Sequence, residues 1–285
     1  GESIVLRILD KSSMMKGLEE LGFLADDLKS WEALLQYAGG LVLVTGPTGS
    51  GKTTTLYASL QTLNTMDRKL MTVEEPVEYQ IPGINQSPVN SEIGLTFASI
   101  LRAFLRQSPD VILVGEIRDF ETADIALRAA LTGHLVFSTL HTNNAPGAIT
   151  RLIDMGAPPF LIASSVQGVM AQRLVRLLCP YCKEKIEPDE EMSKILRIQP
   201  GEEVNVCKPK GCNECNFTGF RGRKGIFEIF AMNDELRELT LRRASVSELR
   251  QAAIKNGMKL MFDDGIRKVR LGITTMDEVL TVTGE

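Results

Sequence analysis

The chain has little that a membrane or a nucleic acid would select. No apolar run approaches the ~20 residues that a spanning helix needs. The opening GESIVLRILD has neither the basic n-region nor the apolar h-region of a signal peptide. Aromatic residues make up 6% of the 285 positions and the formal net charge is −4. Stacking platforms and basic faces, the marks of nucleic-acid binding, are therefore not in view. Histidine occurs twice and cysteine five times. Internal repeats and low-complexity tracts are absent. What is present is ordinary for a folded globular chain, with 44% hydrophobic and 24% charged residues. The length suffices for a sizeable core and fits two lobes better than one. The first residue is Gly, and IVLRIL reads as a strand with nothing before it to pair with, so the chain reads as a fragment of a longer protein.

Between about 40 and 140, short β-rich apolar runs alternate with longer helical patterns, which predicts a parallel sheet covered by helices. LVLVT at 41–45, KLMTVEE at 69–75, DVILVGE at 110–116 and HLVFSTL at 134–140 read as strands. Residues 52–63 read as the helix after the first of them. In TFASILRAFLRQ, Thr96 is an N-cap candidate, and Phe97, Ile100, Leu101, Phe104 and Leu105 recur at helical spacing. DFETADIALRAALTG at 119–133 reads as a helix stopped by Gly133. DDLKSWEALLQYAGG at 26–40 reads as a helix with an Asp cap. After 145 the pattern turns helical, through APGAITRLIDMG and then FLIASSVQGVMAQRLVRLL. SVSELRQAAIKNG and GIRKVRLG suggest a small helical tail.

GPTGSGKTTT follows the first strand and meets GxxxxGK[ST] in full. Gly46, Pro47, Thr48, Gly49, Ser50, Gly51, Lys52, Thr53 and Thr54 would wrap a nucleotide's phosphates with backbone N–H groups at a helix N-terminus. Lys52 would reach the β- and γ-phosphates and Thr53 would bind magnesium. The expected partner acid at a neighbouring strand end is Glu116; its bland alternative is a cap for the helix at 119. VEEPVEY brings Glu74, Glu75 and Glu78 to the sheet edge where ligands of open α/β sheets bind. Glu74 is the candidate for positioning water, against the alternative of a solvated acidic loop. His134 and His141 flank LVFSTL, and His141, at its C-terminal end, is the better placed to sense a γ-phosphate.

Cys179, Cys182, Cys212 and Cys215 form two C-x2-C knuckles separated by residues 183–211. Four thiolates close a tetrahedral zinc site with no open position for chemistry. A redox pair and an iron–sulfur cluster are the alternatives. Such a scaffold would present 183–211 as a contact surface. Cys207 pairs with nothing at knuckle spacing and reads as free.

The phosphate loop, TVEEPVEY, VGEIRD and HLVFSTLHTN, in this order, resemble the secretion ATPases of type II secretion and type IV pilus assembly (GspE-like and PilB-like). LRQSPD, TRLIDMG, AQRLVRLLC and GCNECNFTGFRGR extend the resemblance to nearly the whole chain. One departure is Glu75, where the family more often has Asp. The resemblance implies a RecA-like α/β ATPase core at 13–176, after the end of an N-terminal domain at 1–12. A four-cysteine zinc insert at 177–225 and a helical part at 226–285 would follow. It also implies ATP and magnesium as ligands, with Glu74 polarising water and Glu116 helping to hold the metal. Arg102, Arg106 and Arg118 would reach phosphates, across a subunit boundary in some cases, and Arg7 would sense phosphate at the domain junction. The implied assembly is a homo-oligomer, a hexamer, at the cytoplasmic face of the inner membrane. Its partners would be a membrane platform and adaptor proteins, the latter through the N-terminal domain, and no nucleic acid. Type II secretion is preferred here, with pilus extension as the alternative; retraction-type ATPases lack the cysteine insert. A nucleic-acid motor with the same core is the rival class.

Overall fold

A computed structural model describes residues 3–4, 16–199 and 201–284. Arg7, with the strand expected around it, lies outside the described residues. Strands β1 (Gly40–Thr45), β2 (Leu70–Glu74), β3 (Ile84–Pro88), β4 (Val111–Val114), β5 (Leu135–Leu140), β6 (Val166–Leu178) and β9 (Phe220–Ala231) form a seven-stranded sheet in the order β3-β2-β4-β5-β1-β6-β9. Every neighbouring pair is parallel except β6 with β9, which is antiparallel. Two short strands, β7 (Glu184–Lys185) and β8 (Cys207–Lys208), pair separately.

Side-chain alternation builds two cores from one sheet. Leu41, Leu43 and Val136 face one side with α3 (Phe97–Phe104), α4 (Phe120–Leu131), α5 (Pro146–Asp154) and α6 (Pro159–Ser165). Val42, Val44, Leu135 and Phe137 face the other, under α1 (Ala25–Leu35) and α2 (Lys52–Leu63). Strands covered on both faces read as unbroken apolar runs, which is why β1, β4 and β5 are plain in the sequence. Thr96 caps α3 as expected, its side chain accepting from the Ser99 N–H, and Gly133 takes a φ of +102° just after α4.

Three expectations need correction. First, α1 is not capped by aspartate. Its N-cap is Leu24, without a side-chain cap bond, and Asp26 and Asp27 lie in the first turn. There they favour the helix dipole and reach across to Arg267, at 2.5 Å and 2.9 Å. Second, VQGVMAQRLVRLL is the 13-residue strand β6, not a helix. It is wedged between β1 and β9, and at Gly168 a Cβ would lie 2.7 Å from the Leu34 side chain, so the strand and α1 approach closely there. Third, residues 183–211 are not simply presented to solvent. After α7 (Glu190–Ile195), Leu196 and Val206 bury against Ile266, Val269, Met276 and Val279 of α10 (Met261–Arg270) and α11 (Met276–Thr283).

The C-terminal helices are continuous with the main body. Leu236 of α8 (Asp234–Leu241) and Leu249 of α9 (Val246–Lys255) join the core under α5 and α6. On the other side, α10 is fastened to β9 by a buried pair. Lys268 Nζ donates to Asp264 at 2.6 Å and to the Gly225 carbonyl at 2.7 Å, and the Phe227 N–H donates to Asp264 at 2.9 Å. Taking both charges out of water costs several kcal/mol per ion, which the bonds to Asp264 Oδ2 offset in part, while Asp264 Oδ1 is buried without a hydrogen-bond partner among the described residues.

Candidate functional site

The ends of β1, β2, β4 and β5 converge on a cavity of about 700 Å³ lined by residues 48–54, Glu74, Glu75, Glu116, Arg118 and His141. The loop between β1 and α2 turns through Gly46, Gly49 and Gly51 at φ of +148°, +80° and +89°. A Cβ at Gly46 would lie 2.5 Å from the Gln172 carbonyl, so the first glycine is required by close approach of β6. Lys52 begins α2 and closes back over the loop, donating to the Gly46 and Pro47 carbonyls at 2.8 Å and 3.1 Å. Burial pulls its ammonium below the usual lysine range, with Glu116 opposing that shift. Ser50 Oγ is buried without a hydrogen-bond partner among the described residues. An orphaned donor, a lysine and a helix N-terminus together fit a phosphate chain.

The acids differ in how they are held. Glu116 lies just beyond β4, where Arg118 Nη2 donates to it at 2.6 Å and His141 Nε2 stands 3.6 Å away. The Arg118 hydrogen bond holds its carboxyl below the usual range despite partial burial. Arg118 also reaches Glu75 at 2.8 Å, which makes it a clip between the acidic loop and the end of β4. Glu116, held ionised, and Thr53 both line the cavity, and such oxygen donors fit a hard cation such as magnesium. Glu74 is only 4% exposed and accepts from Tyr57, Thr72 and Gln86.

Other expected residues are not brought together. Arg102 pairs with Glu121 at 2.5 Å and Arg106 donates to the Arg102 carbonyl at 3.1 Å; both are exposed and neither lines the cavity. The two histidines separate as well. His134, at the far end of β5, sits with Nδ1 3.0 Å from the Ala129 carbonyl at the close of α4. Conversely, Leu174 and Arg223 of the β6–β9 ribbon line the cavity, and buried Gln172 accepts from Thr55 at 2.8 Å. Sequence reasoning misses Gln172 and Leu174 because β6 reads as a helix, and Arg223 because its stretch is assigned to the cysteine insert. Thr72 is legible in principle, since it shares a strand face with Glu74 at period two.

The second site is the cysteine cluster. The four sulfurs of Cys179, Cys182, Cys212 and Cys215 lie within 4.8 Å of one another. Three of the separations are 3.9 Å, 3.8 Å and 3.8 Å. A tetrahedron with metal–sulfur bonds of 2.3 Å has an edge of about 3.8 Å, so the spacing fits a closed four-thiolate site. Backbone N–H groups of Gly211, Cys212 and Gly219 point at sulfurs from 3.2 to 3.3 Å. Burial opposes ionisation of Cys215, but the Cys212 and Gly219 N–H groups overrule it and bring the thiol down to about 6. Cys207 stands apart, its thiol donating to the Asn205 carbonyl at 3.6 Å.

Comparison with known proteins shows the family to which the chain belongs. The family described as "Type II/IV secretion system protein" matches residues 1–281. The "Type II secretion system protein E" of Pseudomonas aeruginosa is 52% identical over all of this chain and 57% of its own length. The "Type II secretion system ATPase E" of Vibrio cholerae is 51% identical over all of this chain and 56% of its own. The "Type IV pilus assembly ATPase PilB" of Myxococcus xanthus is 48% identical over 98% of this chain and 50% of its own. The chain thus spans about half the length of the curated relatives it matches. Among solved structures, the pilus retraction motor PilT with bound ADP has a TM-score of 0.71 at 28% identity, covering 96% of this chain and 68% of that one. On these matches, the chain belongs to the type II/IV secretion system protein family.

Proposed function

We propose that this chain is the ATP-hydrolysing part of a type II secretion motor that drives pseudopilus assembly and protein export through an inner-membrane platform. The observation that carries the reading is the convergence of the phosphate loop, Glu74, Glu116, Arg118 and His141 on one cavity. Lys52 and the loop N–H groups would hold the triphosphate, and Thr53 and Glu116 would hold magnesium. Bound there, magnesium would neutralise charge on the β- and γ-phosphate oxygens. Glu74 would orient the attacking water, while His141 and Arg118 would face the γ-phosphate. PilT, a relative in fold, carries bound ADP in its structure, which supports a nucleotide in this cavity.

Arg102 and Arg106 are exposed on α3 and the turn after it. In a ring they would serve a neighbour's phosphates, which supports a homo-oligomer, read here as a hexamer. No described helix is long and apolar enough to cross a membrane. Work at the inner-membrane face from the cytoplasm would therefore rest on the platform and on adaptors bound elsewhere in the full protein. The four cysteines would hold one structural zinc, with 177–225 as its module after an ATPase core at 13–176; the part at 226–285 opens with the last six residues of β9 in the main sheet and is helical beyond them.

Pilus extension is the second reading, since PilB of Myxococcus xanthus is nearly as similar, at 48% against 52% identity. The test is ATP turnover by the full chain against protein concentration, with and without single-stranded DNA. Turnover that rises with protein concentration and ignores DNA is expected. DNA-stimulated turnover would contradict the reading. Capture of a type II platform protein, rather than a pilus one, separates the two filaments.

A further inference from the structure

Glu74 is nearly closed off from solvent yet lines the cavity, so the direction left open to it decides what it can do. A carboxylate offers about four acceptor sites over its two oxygens. Thr72 Oγ1 donates to Oε1 at 2.5 Å and Gln86 Nε2 donates to the same atom at 3.2 Å. The Tyr57 hydroxyl donates to Oε2. Among these described contacts Oε1 has both its acceptor sites engaged, and Oε2 has one of two.

The fold explains why these donors meet. Thr72 and Glu74 alternate onto one face of β2, and Gln86 is the β3 partner of Thr72, so the three side chains share the face that α2 covers. From α2 comes Tyr57, fully buried and one helical turn beyond Thr53. Gln86 is itself fixed: its Oε1 accepts from the Ile81 N–H at 2.7 Å, and its Nε2 also donates to the Tyr79 carbonyl at 3.0 Å. The Tyr57 ring packs edge-on against Tyr79, with centroids 4.7 Å apart. Burial and the adjacent Glu74 push ionisation of the Tyr57 hydroxyl far upward, so it stays a donor.

We propose that Tyr57 and Gln86 are positioning residues that lock Glu74 with Oε2, rather than Oε1, turned to the attacking water. The helix that carries Lys52 and Thr53 would then also set the aim of the acid, and substrate engagement and water orientation would share one rigid element. This rests on the reading of Glu74 as the water-orienting acid.

Tyr57→Phe keeps the ring and removes only the hydroxyl. In the full chain it is expected to lower turnover roughly 10- to 100-fold, the cost of a misaimed group, while KM for ATP moves less than about 2-fold. In a Glu74→Gln background the same change should cost less than about 2-fold, because a residue acting through Glu74 then has nothing to act on. Unchanged turnover in Tyr57→Phe, or an equal loss in both backgrounds, overturns the proposal. Full turnover in Glu74→Gln alone overturns the reading of Glu74 and takes the proposal with it. A melting scan checks the fold. If Tyr57→Phe proves unstable, the half-buried Gln86→Leu replaces it in the same pair of backgrounds. A loss confined to the Glu74 chain is again expected, and an equal loss in both again overturns the proposal.

Discussion

The strand-end cavity and the cysteine cluster are both built by bringing ionisable side chains to the ends of strands, and they close in opposite ways. Around the cavity, Lys52 spans loop carbonyls, Arg118 clips Glu116 to Glu75, and about 700 Å³ stays open between them. In the cluster, four sulfurs already stand at the edge length of a tetrahedron, and backbone N–H groups take up the outward-facing sulfur lone pairs. A donor set that leaves room can do chemistry; a set that satisfies itself around one ion can only hold chain together. The two are also joined. The Cys179 N–H donates to the Gly219 carbonyl at 2.9 Å, and from there the β6–β9 ribbon runs to Leu174 and Arg223 at the cavity.

The largest effect should follow from stripping the zinc proposed for the cysteine cluster. Structural zinc contributes on the order of 10 kcal/mol of apparent binding free energy to small modules. A strong chelator, or Cys212→Ser with Cys215→Ser, should remove one zinc per chain and make 179–219 protease-sensitive while the sheet survives. Metal analysis and limited proteolysis read this out; an intact, resistant module without metal would break the closed-site half of the comparison. Next is Glu74→Gln, expected to lower turnover by about 10²- to 10⁴-fold with nucleotide affinity retained, measured as kcat beside a nucleotide titration. A loss of affinity alone would mean that Glu74 binds rather than aims. Asp264→Ala tests charge closure elsewhere in the fold: it strands buried Lys268 and should cost about 3–5 kcal/mol in urea unfolding. Asp264→Leu with Lys268→Met should recover most of that. Smallest of all, Cys207→Ser should leave the zinc content at one per chain, because its thiol bonds to Asn205 and not to the cluster.

Much of the cavity is legible in the sequence because β1, β4 and β5 are buried on both faces and the phosphate loop has a fixed pattern between strand and helix. Glu116, Arg118 and His141 follow β4 and β5, and Glu74 ends β2, which is likewise buried throughout, so locating the strands locates them. The β6–β9 ribbon is not legible, for a physical reason. An apolar run flanked by a true helix, α6, has no period that separates a buried strand from a buried helix. Its antiparallel partner starts only at Phe220, beyond the whole cysteine module. Gln172, Leu174 and Arg223 are lost with it. Tyr57 and Gln86 escape because their meeting depends on the β2–β3 register, which no local pattern encodes. Leu24 in place of an aspartate cap shows tertiary pairing overruling local preference: Asp26 and Asp27 are taken by Arg267. The knuckles, by contrast, are readable from spacing alone, because two C-x2-C turns need little beyond themselves to present their sulfurs.

The central claim is that Lys52 and the surrounding loop enclose a magnesium-bound triphosphate. The most direct test is magnesium-dependent binding of a fluorescent ATP analogue to the unaltered chain and to Lys52→Ala, side by side. Saturable binding by the first and affinity at least about 100-fold weaker in the second are predicted, in line with loss of a charged phosphate contact from a partly desolvated site. Equal affinity in both, with equal cleavage of ATP, would contradict the account.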